Sequence, residues 1–168
     1  NGGYMKALFT IGILMILISG TKVLAQDKDM HMKHGTDHIM INEDELKWVD
    51  GPEALPKGLK IAVLEGNPHE AGPFTMRLKF PENYEVQPHW HPAIEHLSVL
   101  DGSFYMGTGE TFNREKATLL EEGAFAVMPA KFVHYAFTKE GATIQLHGMG
   151  PWAIYFVNAK NVSTNQPQ

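Results

Sequence analysis

The sequence predicts an all-β protein, folded as a sandwich or a barrel of short strands. Apolar and polar side chains alternate from Phe74 to Phe80, which is the period of a strand with one buried face. About nine such runs follow one another with Gly or Pro at nearly every junction, and no run has the length and period of an ordinary helix. A single open sheet would leave an apolar face and two long edges exposed, so a closed or two-layered sheet is favoured.

The first 25 residues are interpreted as a secretory signal peptide preceded by four extra residues. Met5 and Lys6 precede an apolar run over residues 7–20, and small residues lead to Ala25. This run is too short to span a bilayer comfortably, whereas a signal peptide has this order of regions. We therefore expect a signal peptide over residues 5–25, cleavage after Ala25 and a periplasmic or secreted protein. Residues 1–4 are interpreted as translated upstream sequence that belongs to no fold.

The charge balance limits the partners. The whole chain has a formal charge of −5, and removal of the leader with Lys6 and Lys22 leaves 168 − 25 = 143 residues with a charge of 12 − 19 = −7. Nucleic acids and anionic membranes are held by clusters of Lys and Arg, so neither is expected as a partner of the mature chain. The sequence has no cysteine, which excludes disulfides, thiol nucleophiles and Cys-ligated metals. An exported metal site must then use His, carboxylate or Met.

A polar segment with three histidines follows the leader. Residues 26–40 contain His31, His34 and His38 without any apolar periodicity, so we expect a disordered linker. Such a tract serves either as a solvated spacer or as a weak capture site for transition metals. The next residues, Asn42 to Glu45, match a capping box and predict a short helical turn before the barrel.

The barrel is expected over residues 41–158, with a polar tail over 159–168. Strands are predicted, in chain order, at 60–65, 74–80, 85–91, 95–100, 103–107, 124–128, 133–138, 142–147 and 153–157. Asp101-Gly102 lies between two of these runs and predicts a tight hairpin. Residues 107–116 are polar and too long for a tight turn, so a surface loop is expected there.

Four side chains along these strands are suited to one metal ion. His89 and His91 are two residues apart on a strand and therefore share a face. Glu95 follows beyond Pro92, where the chain can bend and re-enter the same interior. His134 opens a later strand run and can close the site from a neighbouring strand. Three imidazoles and one carboxylate suit a single divalent transition metal ion, namely Fe, Mn, Ni, Cu or Zn.

These residues resemble the two sequence motifs of the cupin family. The first, G-x5-H-x-H-x3,4-E-x6-G, is matched with every spacing kept by His89, His91, Glu95 and Gly102. The second, G-x5-P-x-G-x2-H-x3-N, is matched by Gly123, Pro129 and His134. The resemblance covers roughly residues 60–158 and implies a double-stranded β-helix, a small jelly roll, with one metal inside.

Three positions depart from the motifs. Asn83 replaces the leading Gly, Lys131 the second Gly of the later motif, and Thr138 the final Asn. Asn tolerates a positive φ, so Lys131 is the departure that could alter the backbone. The stretches 87–102 and 147–152 look like a group of exported, single-domain bacterial cupins whose substrates are mostly unassigned.

Four other polar side chains lie on the same strands as the predicted ligands or on neighbouring strands, and each is expected to face either the interior or the outside of the barrel. Strand parity points His96 away from Glu95, so His96 is expected on the outside or between subunits. Gln145 and His147 share one face of their strand, and Thr138 shares a face with His134; these three either line the pocket or face outward.

The leading functional hypothesis is a metal-dependent oxidoreductase that resembles cupin dioxygenases and acts on a small organic molecule. Three His and one Glu leave two positions of an octahedral ion for a substrate oxygen and for O2 or water, and Glu95 is the ligand best suited to detach and act as a base. The same ligands also serve isomerases, decarboxylases and hydrolases. The alternative is a non-enzymatic periplasmic binder of a metal, a sugar or a small acid.

A homodimer is expected as well. Strand edges need protection, and Trp152, Ile154 and Phe156 add apolar surface near the end of the domain.

Overall fold

The computed structural model describes residues 38–158, and the expected signal peptide, most of the linker with His31 and His34, and the tail lie outside them. The elements, in chain order, are a 3₁₀ turn at Glu43–Glu45, β1 Val49–Asp50, β2 Lys60–Glu65, β3 Gly72–Phe80, β4 Glu85–Trp90, β5 Glu95–Thr108, a 3₁₀ turn at Arg114–Lys116, β6 Thr118–Glu121, β7 Phe125–Met128, β8 His134–Phe137, β9 Ala142–Gly150 and β10 Tyr155–Phe156. The predicted all-β class is confirmed. No helix in this part of the chain is long and apolar enough to cross a membrane.

All strand pairs are antiparallel, and the strands join in the order β1-β2-β3-β9-β5-β8-β4-β10. The first half of β5 pairs with β9 and β7, and its second half pairs with β8 and β6. The sheet therefore folds over at β5 into two layers, which is the expected jelly roll. The strands at the two ends of this order, β1 and β10, are only two residues long, and β6 and β7, which pair with β5 alone, have four residues each. Short edge strands limit the edge open to pairing with other chains.

The core lies between the two layers and follows from the alternation in the sequence. On β3 the side chains of Phe74, Met76, Leu78 and Phe80 are buried, and the side chains between them are more exposed. On β9 the buried set is Ala142, Ile144 and Leu146. Each strand thus presents one apolar face to the opposite layer.

The hairpin predicted at Asp101-Gly102 is wrong, because β5 runs through these residues without a break. The register with β9 shifts between Val99 and Asp101, as in a β-bulge, and Gly102 has φ +76°. A Cβ on Gly102 would lie 2.4 Å from the carbonyl oxygen of Gly141, so the close approach also requires glycine. A positive φ serves a bulge as well as a turn, and the two residues alone do not distinguish them.

The N-terminal turn forms as predicted, and the side chain of Glu45 accepts a hydrogen bond of 2.7 Å from the backbone N–H of Asn42. Two strands were missed by the sequence pattern. One is β1, which is too short to show a period. The other is β6, a run that follows directly on the expected surface loop and pairs with the second half of β5.

Candidate metal site

Three strands bring the predicted ligands together on the inner face of the jelly roll. His89 lies on β4 directly opposite His134 on β8, His91 follows the end of β4, and Glu95 is the first residue of β5. All four side chains are buried, with exposed fractions from 2% to 6%. The spacing in the sequence therefore becomes a single cluster in space.

The distances suit donor atoms around one ion. The three imidazoles each offer one nitrogen within 4.8 Å of the others. The Oε2 atom of Glu95 lies 3.1 Å from Nε2 of His134 and 3.5 Å from Nε2 of His91. Two ligands bound at about 2.1 Å from a shared ion would be separated by similar distances. These three histidines could hold a metal ion.

The backbone holds each imidazole by the nitrogen that faces away from the cluster. Nδ1 of His89 lies 2.7 Å from the carbonyl oxygen of Gln87, Nδ1 of His91 lies 2.8 Å from that of Ala153, and Nδ1 of His134 lies 3.0 Å from that of Phe132. A carbonyl oxygen only accepts hydrogen bonds, so each Nδ1 must carry the proton and donate it. Each neutral ring then keeps a free lone pair on Nε2, as a metal ligand requires.

Burial favours the neutral form of His89 and His91. The pKa of His89 is lowered well below its usual value, mainly by burial and further by the neighbouring His134 and His91. Burial also lowers the pKa of His91, against a smaller opposite effect of Glu95. The neutral form is the one that binds a metal ion.

The carboxylate gives an independent indication of a cation. The Oε2 atom of Glu95 is fully buried and has no hydrogen-bond partner. A buried carboxylate oxygen without a partner is costly, and a positive ion between it and the three Nε2 lone pairs would compensate that cost. The residues present thus fit a divalent metal ion.

Trp152 supports the cluster in a way that the sequence did not reveal. Its ring stacks on His91 with centroids 4.1 Å apart and planes 17° apart, while the next residue, Ala153, supplies the carbonyl that orients the same imidazole. The segment before β10 therefore fixes one proposed ligand from two sides. Trp152 was expected at an interface between subunits, and no local pattern in the sequence links residue 152 to residue 91.

Asn83 and Lys131, which replace glycines of the two cupin motifs, adopt a backbone conformation that is typical of glycine. Asn83 has φ +54° and Lys131 has φ +63°, and they are the non-glycine residues with positive φ in the described chain. The N–H of Lys131 donates a 2.8 Å hydrogen bond to the carbonyl of His91. Lys131 therefore keeps the positive φ of the glycine that it replaces, and the turn before His134 stays attached to the residue that follows β4.

The three side chains considered for the pocket do not line it. Ile144 and Leu146 of β9 line the cavity that lies between the two layers. Gln145 and His147 alternate with them along β9 and therefore face the outside of the layer. Thr138 is fully buried, and its hydroxyl donates to the carbonyl of Pro81, which ties the end of β8 to the end of β3.

His96 lies on the outer face, as strand parity predicts. It is paired with His147 across β5 and β9, and the two rings stack with centroids 4.9 Å apart. His96 is therefore separated from Glu95 by the sheet itself.

The comparison with protein families agrees with this geometry. The profile described as the ChrR Cupin-like domain matches residues 36–153. The chain belongs to this cupin family. A search of curated protein sequences finds no significant match.

Solved cupin structures share the fold at low identity. The polyketide cyclase RemF from Streptomyces resistomycificus is 15% identical with a TM-score of 0.62, and the match covers 75% of this chain and 89% of the other. An acetylacetone dioxygenase from Acinetobacter johnsonii is 17% identical with a TM-score of 0.56 over 76% and 83% of the two chains. A RmlC-like cupin from Shewanella frigidimarina is 18% identical with a TM-score of 0.53 over 67% and 90%. At these identities the similarity establishes the cupin fold alone.

Proposed function

We propose that this cupin is a metal-dependent oxidoreductase of the dioxygenase type that acts on a small organic molecule. His89, His91, Glu95 and His134 hold one divalent transition metal ion in this proposal. The observation that carries it is the set of three Nε2 lone pairs, each fixed by a backbone carbonyl behind the ring, beside the unpartnered Oε2 of Glu95. The dioxygenase and cyclase among the structural neighbours support an enzymatic use of such a site.

The residues of this chain have distinct tasks in the proposed reaction. The bound ion would supply a Lewis-acidic and, for Fe, Mn or Cu, redox-active centre. The carbonyls of Gln87, Phe132 and Ala153 keep the imidazoles oriented, and Trp152 limits the movement of His91. Glu95 is the ligand best suited to detach, and its freed carboxylate accepts a proton from the polar head of the substrate and so acts as the base. The apolar walls around the site exclude bulk water from the reacting atoms.

Oxygen uptake is the direct test of this function. Protein reloaded in turn with Fe, Mn, Cu, Ni and Zn is incubated with phenols, diketones, sugars and organic acids while dissolved O2 is recorded. We expect consumption with one metal and one substrate class, and with ¹⁸O2 both labelled atoms should enter the products. Metal-free protein and the His89→Ala variant serve as controls. Product formation without O2 uptake would contradict the oxidoreductase and indicate an isomerase, decarboxylase or hydrolase. Ligand binding without turnover would contradict an enzyme and indicate a non-enzymatic binding protein.

Export is a further part of the proposal. The apolar run over residues 7–20 and the small residues up to Ala25 support a signal peptide, and its removal would leave the acidic mature chain. N-terminal sequencing of the chain recovered from the periplasm should begin at Gln26. Recovery of the intact leader in the cytosol would contradict export.

A homodimer is also proposed, although on a different surface from the one first expected. Trp152 and Ile154 line the cavity, which leaves less of their surface for contact with another chain. Exposed apolar residues lie on the outer face of the layer instead, namely Phe125, Val127 and Met149. Light scattering at micromolar concentration should give twice the monomer mass, and Phe125→Glu should halve it. A monomer mass for the unaltered protein would contradict the dimer.

A further inference from the structure

The space between the two layers is a single large cavity with the four predicted ligands in its wall. Its volume is about 570 Å³, and both layers contribute to its lining. Binding sites for drug-sized molecules have volumes in this range. A molecule as small as acetylacetone would leave most of this cavity to water.

The rest of the wall is almost entirely apolar. Beyond the four predicted ligands, the ionisable side chains that line the cavity are Asp50 and His69, and its described lining contains no Lys, Arg, hydroxyl or amide side chain. The Asp50 carboxylate is exposed and lies 2.8 Å from the Lys60 ammonium. A sugar or a small polyacid would lose its hydrogen bonds to water in such a wall and recover few of them.

The mouth of the cavity has the same character. Val49 on β1 and Val63 on β2 both line the cavity and are 61% and 49% exposed, so the cavity opens beside these strands. A ligand that enters there passes apolar side chains before it reaches the histidines. The Lys60 ammonium beside this entrance is paired with the Asp50 carboxylate, so its charge is compensated.

We propose that the cavity binds an uncharged, predominantly apolar organic molecule with one oxygen-bearing head group that reaches His89, His91, Glu95 and His134. The role of the head group rests on the proposed metal site, whereas the preference for an apolar, uncharged body rests on the wall alone. The walls select the body by burial of apolar surface, and the cluster at one part of the wall fixes the orientation.

Two fluorescent probes that differ by one sulfonate test the wall. N-phenyl-1-naphthylamine is uncharged, and 1-anilinonaphthalene-8-sulfonate has the same rings with a negative charge. We expect the uncharged probe to bind metal-free protein at least tenfold more tightly. Equal affinities, or tighter binding of the sulfonate, would overturn the proposal.

A matched pair of substitutions places the probe. Val63→Lys introduces a cation at the mouth and should reduce or reverse the preference for the uncharged probe. Leu119→Lys introduces the same cation at a similarly exposed apolar residue of β6 that does not line the cavity, and it should leave the preference unaltered. Equal effects of the two variants would place the probe outside the cavity and contradict the proposal.

A series of alkyl hydroxamates tests the head group together with the body. Affinity for metal-loaded protein should rise from acetohydroxamate to octanohydroxamate by about two- to fourfold per methylene, as expected for burial of each group. If the affinity for protein that retains its metal does not change with chain length, the proposal that the ligand has an apolar body is wrong. Failure of the protein to retain any metal, with the uncharged probe still bound, would overturn the proposed metal site and leave the apolar ligand class standing.

Discussion

Replacement of His134 by alanine is expected to strip the metal ion from the protein. His134 is 2% exposed, its Nδ1 is held by the carbonyl of Phe132, and its Nε2 lies 3.1 Å from Oε2 of Glu95. Removal of a partner that merely orients a ligand costs 10- to 100-fold in metal affinity, so loss of the ligand itself should cost more than about 100-fold. His89→Ala and His91→Ala should behave alike.

Two measurements check this result. Metal content after desalting should fall to background in the three variants, and added metal should no longer raise their melting temperature. An ion present at 100 times its Kd stabilises the folded state by about 2.7 kcal/mol, which is easily seen as a thermal shift in the unaltered protein. His96→Ala is the control, because this ring lies on the opposite face and stacks on His147. Retention of metal by His134→Ala, or none in the unaltered protein after reloading with each metal, would contradict the site.

The sequence was sufficient to predict that His89, His91, Glu95 and His134 lie close together, because the spacing of residues along a strand determines which side chains share a face. His89, His91 and Glu95 lie within seven residues, and a neighbouring strand brings in His134. The orienting contacts were out of reach, because the carbonyl of Ala153 and the ring of Trp152 approach His91 from a segment about 60 residues later. Such contacts depend on the packing of distant segments.

The outward direction of Gln145 and His147 could have been predicted. Parity alone places both residues on one face of β9, without saying which face is buried. The apolar residues Ala142, Ile144 and Leu146 alternate with them, and that alternation identifies the inner face. The bulge in β5 could not have been predicted in this way. Asp101-Gly102 is compatible with both a hairpin and a bulge, and only the pairing of β5 with β9 distinguishes them.

Replacement of Gly107 by alanine is expected to destabilise the fold by about 3 kcal/mol. Gly107 pairs with Tyr135 across β5 and β8, and a Cβ on Gly107 would lie 2.0–2.3 Å from three atoms of the Tyr135 side chain. That ring is fully buried, and its hydroxyl donates a 2.7 Å hydrogen bond to the carbonyl of Asn113. The added methyl would displace the ring and break this bond. Because His134 precedes Tyr135, metal affinity should fall as well.

A double-mutant cycle, measured by denaturant unfolding, tests whether the clash with the Tyr135 ring causes the loss of stability. If the ring is the obstacle, adding Gly107→Ala to a Tyr135→Leu variant should cost little, which gives a coupling of about 2 kcal/mol. Gly109→Ala provides a matched glycine control: it has φ +100° and nothing within 4 Å of its Cβ, so its cost should be the backbone strain of about 1 kcal/mol. Additive effects of Gly107→Ala and Tyr135→Leu would rule out the clash.

The strand order also determines when the site can form during synthesis. His89 lies on β4, whose hydrogen-bonded neighbours in the described chain are β8 and β10, both near the end of the protein. The strands β1, β2 and β3 can pair among themselves as they emerge, but β4 has no partner strand until residue 134 has been made. Non-local pairing of this kind folds slowly, since the loop must close before the contacts can stabilise it. A nascent chain truncated before β8 consequently holds two of the three imidazoles, His89 on a strand without partners and His91 just after it, and metal capture becomes an event of the completed polypeptide.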